Sequence, residues 1–201
     1  MNCWRSGFSA ASLTVLLVAG ATKGASAADP ARGKSDPTSL AQGYALLDDL
    51  LGDEKNVSKL LIIKRDRPEL KDLVKSISDK TGKAHKELEK LTKNGAHIDL
   101  RNQGLPNAEV ETRKSISKEK SKALLAEKGD DFELQLLLAQ NEALTYGAHL
   151  AATVAKTETE PKRSQFLQQL SADLLDLRNK VFTMIRQNYR QAAPAGPQPA
   201  K

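Results

Sequence analysis

From residue 37 to residue 189 the chain keeps one rhythm, with apolar side chains three and four residues apart and charged positions between them. That spacing gathers apolar groups on one face of an α-helix. It recurs in four long segments. The first spans residues 37–64, with a seam of Leu40, Tyr44, Leu47, Leu51, Glu54, Ser58 and Leu61. The second opens at Pro68 and reaches residue 93 through Leu70, Val74, Ile77, Thr81, Ala84, Leu88 and Leu91. The third follows "GDD" and ends near residue 157. The fourth runs from Pro161 to Tyr189 through Leu167, Leu170, Leu174, Leu177, Val181 and Met184. Asp36 is placed to cap the first helix, with Pro37 in its first turn, and Asp130 or Asp131 to cap the third. No segment alternates β-branched and polar residues, so the pattern predicts an all-α fold.

The connections predict the topology. "KRDRP" joins the first two helices and "ETEP" the last two. Both turns are short, so each pair forms an antiparallel hairpin. Residues 94–130 lie between the hairpins, open with "NGAHIDLRNQGLP" and carry a short helix over 113–127. A helix of ~27 residues is about 40 Å long. This connection is long enough to run that length, as the single crossover of ferritin-like bundles does. The expectation is a ferritin-like four-helix bundle over residues 38–190.

The ends read differently. An apolar run over residues 10–21, after Arg5 and before Ala25-Ser26-Ala27, is the pattern of a secretory signal peptide cleaved after Ala27. The run falls short of the ~20 residues a spanning helix needs, so no transmembrane segment is expected after cleavage. Residues 28–37 form a polar linker, and 191–201 a disordered Pro/Ala-rich tail. The expected location is the periplasm or the extracellular space. Cys3, the only cysteine, lies before the apolar run and leaves with the leader, so the mature chain forms no disulfide.

Charge alters this picture little. The whole chain carries 31 basic and 25 acidic residues; losing Arg5 and Lys23 leaves 29 against 25, a net charge of +4. The excess lies in residues 55–128, where lysines alternate with acids at helical spacing and no aromatics interleave. That is a solvated helix surface, and no nucleic-acid partner is expected. Attraction of the basic half to an anionic envelope surface would fade as salt rises.

The order of these features resembles a secreted ferritin-like family catalogued as domain of unknown function 4142. The likeness covers residues 38–189: a leader, a long hairpin, Leu105-Pro106 in the crossover, a short helix, then "GDDFE" at 129–133. The resemblance implies a fold and no activity. In the family pattern a histidine stands twelve residues after the opening Phe of the third helix; here that position is Leu144. The fourth-helix histidine falls near Asp176, which the helical wheel turns outward.

Candidate chemistry is sparse. Glu142, Tyr146 and His149 share a polar stripe opposite the leucine and alanine face of the third helix. They are expected on the exposed side, while Gly147 falls on the inner face and allows close helix approach. Glu54 lies among the leucines of its seam and is expected to be buried. A buried carboxylate needs a partner or a proton. Lys80, Arg178 and Gln140 lie at similar depth, so a core ion pair is the first expectation. Metal ligation by Glu54 with His85 and a partly hydrated carboxyl are the alternatives. Ferritin-like metal sites need several inward carboxylates and histidines, and this chain offers few. His97 is expected to be solvated, Tyr44 to be a core aromatic whose hydroxyl reaches the bundle end, and Met184 to fill core. There is no cysteine nucleophile, Gly-rich phosphate loop or supported Ser/His/Asp set, so no catalytic residue and no cofactor is assigned. The reading is a non-catalytic binding or structural protein of the bacterial cell envelope, its partner an unidentified protein or envelope component. The alternative is a ferritin-like metal-binding or oxidoreductase protein with a degenerate iron or manganese site.

Overall fold

The computed structural model describes residues 37–63, 67–93 and 98–189, and among them every regular element is helical and none is a strand. The order is α1 (Pro37–Glu54), a 3-10 turn (Val57–Lys59), α2 (Leu60–Ile63), α3 (Pro68–Lys93), α4 (Asn107–Ala126), α5 (Gly129–Thr157) and α6 (Pro161–Tyr189). Proline opens α1, α3 and α6 and immediately precedes α4, positions where its missing N–H sacrifices no intrahelical bond. The expected leader, the linker up to Asp36, the tail from residue 190 and His97 lie outside the described residues.

The long helices pack in a closed circuit: α5 on α6 most extensively, α1 on both α3 and α5, and α3 on α6. Between them lie the seams read from the sequence, with Leu47, Leu51, Ile77, Leu88, Phe132, Leu144, Leu174 and Val181 all fully buried. Gly147 is buried where α5 crosses its neighbours; a Cβ there would run into Leu50 of α1 and approach Leu174 of α6 at 3.1 Å. The missing side chain therefore sets how closely three helices meet.

Three expected boundaries need correction. The first segment is not one helix to residue 64, because α1 stops at Glu54. The free carbonyls are taken by side chains: Asn56 Nδ2 donates to Gly52 O at 2.7 Å, and Ser78 Oγ of α3 to Lys55 O at 2.5 Å. Gly52, Asn56 and Val57 all have weak helix propensity, so the break costs little there. The crossover helix is longer than 113–127, starting at Asn107. Lys128, in extended conformation, precedes α5, so neither Asp130 nor Asp131 caps it. Both lie in its first turn, where an anion still favours the helix dipole.

The crossover docks through one glycine. Gly104 has φ of +66°, and a Cβ there would overlap the Gln42 side chain of α1, so any other residue meets both strain and a clash. At one end of the molecule Arg67, just before α3, grips Glu133 of α5 with Nε at 2.9 Å and Nη2 at 2.6 Å. Asn188 of α6 donates to the same carboxylate at 2.5 Å. The Glu of "GDDFE" thus ties three segments together.

Candidate functional site

Glu54 is the last residue of α1 and 2% exposed. Its seam neighbours are leucines, so the wheel that places them inside places the carboxyl there too. The ion pair expected for it does not form. Lys80 is exposed and reaches Asp176 at 3.5 Å. Arg178 is half-buried, lies over the Phe182 ring at 5.4 Å and donates to Asn179 Oδ1 at 3.2 Å. Lys80 takes its charge outward, where solvation costs least, while Arg178 sends Nη1 to the surface and keeps Nε buried without a hydrogen-bond partner among the described residues. Thr81, level with Glu54, spends its hydroxyl on Ile77 O at 2.8 Å.

Gln140, buried on α5, is the partner, hydrogen-bonding to the Glu54 carboxyl. Glu54 Oε2 and Gln140 Oε1 are buried oxygens without a hydrogen-bond partner among the described residues. Burial pushes the Glu54 carboxyl up to about 8, against the lowering hydrogen bond from Gln140 and with help from neighbouring Asp53. The C-terminal end of α1 disfavours an anion as well. At neutral pH Glu54 is a neutral acid.

The pair sits at the floor of a cavity of ≈ 250 Å³ between α1, α4 and α5. Leu50, Leu124, Leu136, Ala139 and Ala143 supply apolar wall, while Lys120, Leu138 and Glu142 stand at the exposed rim. Leu138 is 46% exposed, an apolar side chain left at the opening. Lys120 of α4 and Glu142 of α5 pair across the rim at 3.2 Å. The polar stripe of α5 is therefore not uniformly wet. His149 is exposed, but Tyr146 is half-buried, lines the cavity and hydrogen-bonds to Arg113 of α4. Sequence reading missed this because nothing in the crossover says which face of α5 it will cover.

His85 goes elsewhere. Its imidazole, 9% exposed, stands between α1 and α3 with Nε2 3.2 Å from Asp48 Oδ1 and Nδ1 3.6 Å from Glu89 Oε1. Gly52 lies beside the ring, where a Cβ would stand at an ordinary 3.6 Å from Nε2. Asp48, His85 and Glu89 offer ligand atoms within 4.8 Å of one another. Lys55 Nζ, however, lies 3.2 Å from His85 Nδ1, so an ammonium already sits where a metal cation would compete. Glu54 is not part of this group. The interior does not fit a dinuclear ferritin-like centre: Leu144 fills the third-helix histidine position, and Asp176 is exposed and paired with Lys180 at 2.8 Å.

A third cluster was only half legible. Tyr44 of α1 is buried and donates to Glu158 Oε2 at 2.7 Å. Arg163 of α6 holds the same carboxylate with Nε at 2.8 Å and Nη2 at 3.0 Å, and the Glu160 amide adds 2.8 Å. Burial pulls the Glu158 carboxyl up, but Arg163, the Glu160 amide and Tyr44 together hold it below its ordinary value. Burial beside that anion pushes the Tyr44 phenol far above its usual range. All four polar groups are matched to one another, which marks a structural lock rather than a reactive site. Met184 packs against the core.

Compared with known protein families, curated proteins and solved structures, the chain has no significant match to any of them.

Proposed function

We propose that this chain is an exported, non-catalytic binding protein of the bacterial cell envelope, folded as a ferritin-like four-helix bundle like the family it resembles. The closed circuit of helix contacts supports the bundle, and the leader pattern supports export, with a mature N-terminus at Ala28 in a native extract. The observation that carries binding is the α1/α4/α5 cavity: apolar walls, an exposed rim and two buried oxygens at its floor without a partner among the described residues. A pocket lined mainly by apolar groups with a few convergent polar ones is the ordinary form of a small-molecule site. No catalytic arrangement accompanies it among the described residues. The Tyr44–Glu158–Arg163 cluster is internally saturated, and among the described residues no cysteine, serine or histidine nucleophile is paired with Glu54.

The test is calorimetric binding of a neutral probe, 2-phenylethanol, to the mature protein and to Ala143→Phe, which fills the cavity. Binding lost in Ala143→Phe with unchanged helical circular dichroism supports the site. Equal binding by both proteins, or by neither, removes it.

One observation favours a second reading, the Asp48–His85–Glu89 group as a mononuclear iron, manganese or zinc site. A resident metal contributes its binding free energy to stability. With Lys55 in place, EDTA is expected to leave the melting temperature unchanged. A fall of several degrees, restored by one of those ions, would establish the second reading instead.

A further inference from the structure

We propose that the outer groove of the α5/α6 hairpin docks an acidic amphipathic helix of another protein, gripped through Phe182 and the two arginines that flank it. This surface is separate from the α1/α4/α5 cavity, and neither depends on the other. Among the described residues the large hydrophobic side chains that stand exposed are Leu138 (46%), Leu175 (39%) and Phe182 (42%), all on this hairpin. Single exposed apolar side chains are ordinary, whereas several on one face mark a contact surface.

The hairpin's own bonds bring these side chains together. Ser164 Oγ of α6 donates to Ala155 O of α5 at 3.4 Å, and Tyr189 of α6 donates to Asp130 O of α5 at 2.9 Å. The helices therefore run antiparallel in a register that sets Leu138 level with the turn carrying Phe182. Phe182 stands about five turns after Ser164, in the same column, on the flank of α6 that meets α5. Leu175 lies two turns earlier in that column. The opposite flank of α6, with Lys180 and Met184, faces Leu73 of α3. The crossover helix α4 lies on the far side of α5, where Lys120 meets Glu142. No helix among the described residues covers the groove between Leu138 and Phe182.

Charge selects the partner. Arg178 stands over the Phe182 ring at 5.4 Å and Arg186 at 5.8 Å, one turn to either side of it along α6. Arg178 donates to the neutral Asn179, and no carboxylate pairs with either guanidinium among the described residues. The acids of the two helices are engaged elsewhere. Glu133 is held by Arg67, Glu142 by Lys120, and Asp176 by Lys80 and Lys180. Asp173 accepts from Gln169, while Asp130 and Asp131 stand around Tyr189 at the hairpin's end. A ring bracketed by two such forks suits an apolar side chain bracketed by carboxylates, because arginine takes a carboxylate through two parallel N–H bonds. The two arginines are separated by a rise of about 12 Å along α6, which a partner helix matches with acids two turns apart. A straight groove between antiparallel helices accepts the apolar face of such a helix along its length. Anionic lipid is the poorer fit, since Ser164, Gln168 and Ser171 in the rest of the column carry no charge.

The probe is a fluorescent helix-forming peptide of alanine and glutamine that carries one stripe of leucines, with two glutamates two turns apart along its edge. Its twin has lysines in place of the glutamates. By fluorescence anisotropy on the mature protein at pH 7, the acidic peptide is expected to bind about tenfold or more tighter than the twin, an advantage that shrinks as salt rises. Phe182→Ala should weaken it about tenfold, and Arg186→Glu should reverse the preference in favour of the twin. Both positions are exposed, so both variants should keep the wild-type helical circular dichroism. Ala143→Phe, which fills the cavity, should bind the acidic peptide as wild type does. Equal binding of the two peptides, binding of neither, or loss of binding in Ala143→Phe overturns the inference. So does binding of phosphatidylglycerol vesicles without either peptide, which gives the face to lipid, or a dimer that Phe182→Ala dissolves, which gives it to a second copy of the chain.

Discussion

Glu54→Gln stabilises the protein at pH 7 and leaves its stability unchanged at pH 4. The folded carboxyl is raised from 4.5 to about 8 by burial, with Gln140 pulling the other way and Asp53 adding to the rise. In the unfolded chain Glu54 ionises near its ordinary value; in the folded chain it cannot until the pH approaches 8. Below about 4.5 the group is neutral in both states and costs nothing. Between about 4.5 and 8 only the unfolded state releases the proton, so stability falls as pH rises. At 1.36 kcal/mol per unit, the penalty reaches about 3 kcal/mol by pH 7. For a domain of this size that is roughly 6–12 °C in melting temperature. Gln keeps the shape, hydrogen-bonds to Gln140 and does not titrate. The measurement is the difference between wild-type and Glu54→Gln melting curves from pH 4 to pH 9, which cancels groups common to both. A flat difference would mean that Glu54 is ionised and matched in the native protein.

The opposite sign is expected at the other end of α1. Arg163→Met removes the one cation that pairs with Glu158 among the described residues; the Glu158 side chain is 0% exposed. Tyr44 and the Glu160 amide still donate to it, but neither carries charge. Breaking a buried pair from one side costs about 3–5 kcal/mol, or roughly 10 °C. Glu158→Gln should cost less, because the Arg163 side chain is 11% exposed and can turn to water. Glu158 is held below its ordinary value, so its contribution is present above about 4.5 and is lost as pH falls through its folded value. The gap between wild type and Arg163→Met in urea denaturation should therefore close in acid. A gap that is small at pH 7 would show the pair to be dispensable.

What could be read in the chain beforehand follows from how local each cause is. Pro68 and Pro161 start helices by their own stereochemistry, and both starts were visible. The burial of Glu54 was visible too, since its direction depends only on neighbours within α1. Its partner was not, because Lys80 and Arg178 have stems long enough to choose, and solvent decides for them. The break after Glu54 was hidden because the apolar spacing runs straight through Ser58 and Leu61, while the hydroxyl that takes the Lys55 carbonyl comes from Ser78 in another helix. Tyr44 could be placed near an end, yet Glu158, its acceptor, lies 114 residues away. The half-burial of Tyr146 depends on where α4 settles, and residues 107–126 present no continuous apolar face to settle that in advance.

That same helix governs how the cavity fills. Only Ser117 and Leu124 of α4 are buried, and its main packing partner is α5 alone. An element so lightly held undocks at a small fraction of the free energy that opens the four long helices. The α1/α4/α5 cavity, already open at its rim, then widens with the breathing of a single helix, a local equilibrium. Substitutions that stiffen or loosen the rest of the molecule, including those at Arg163, change how long the protein survives without changing how quickly a small molecule enters and leaves.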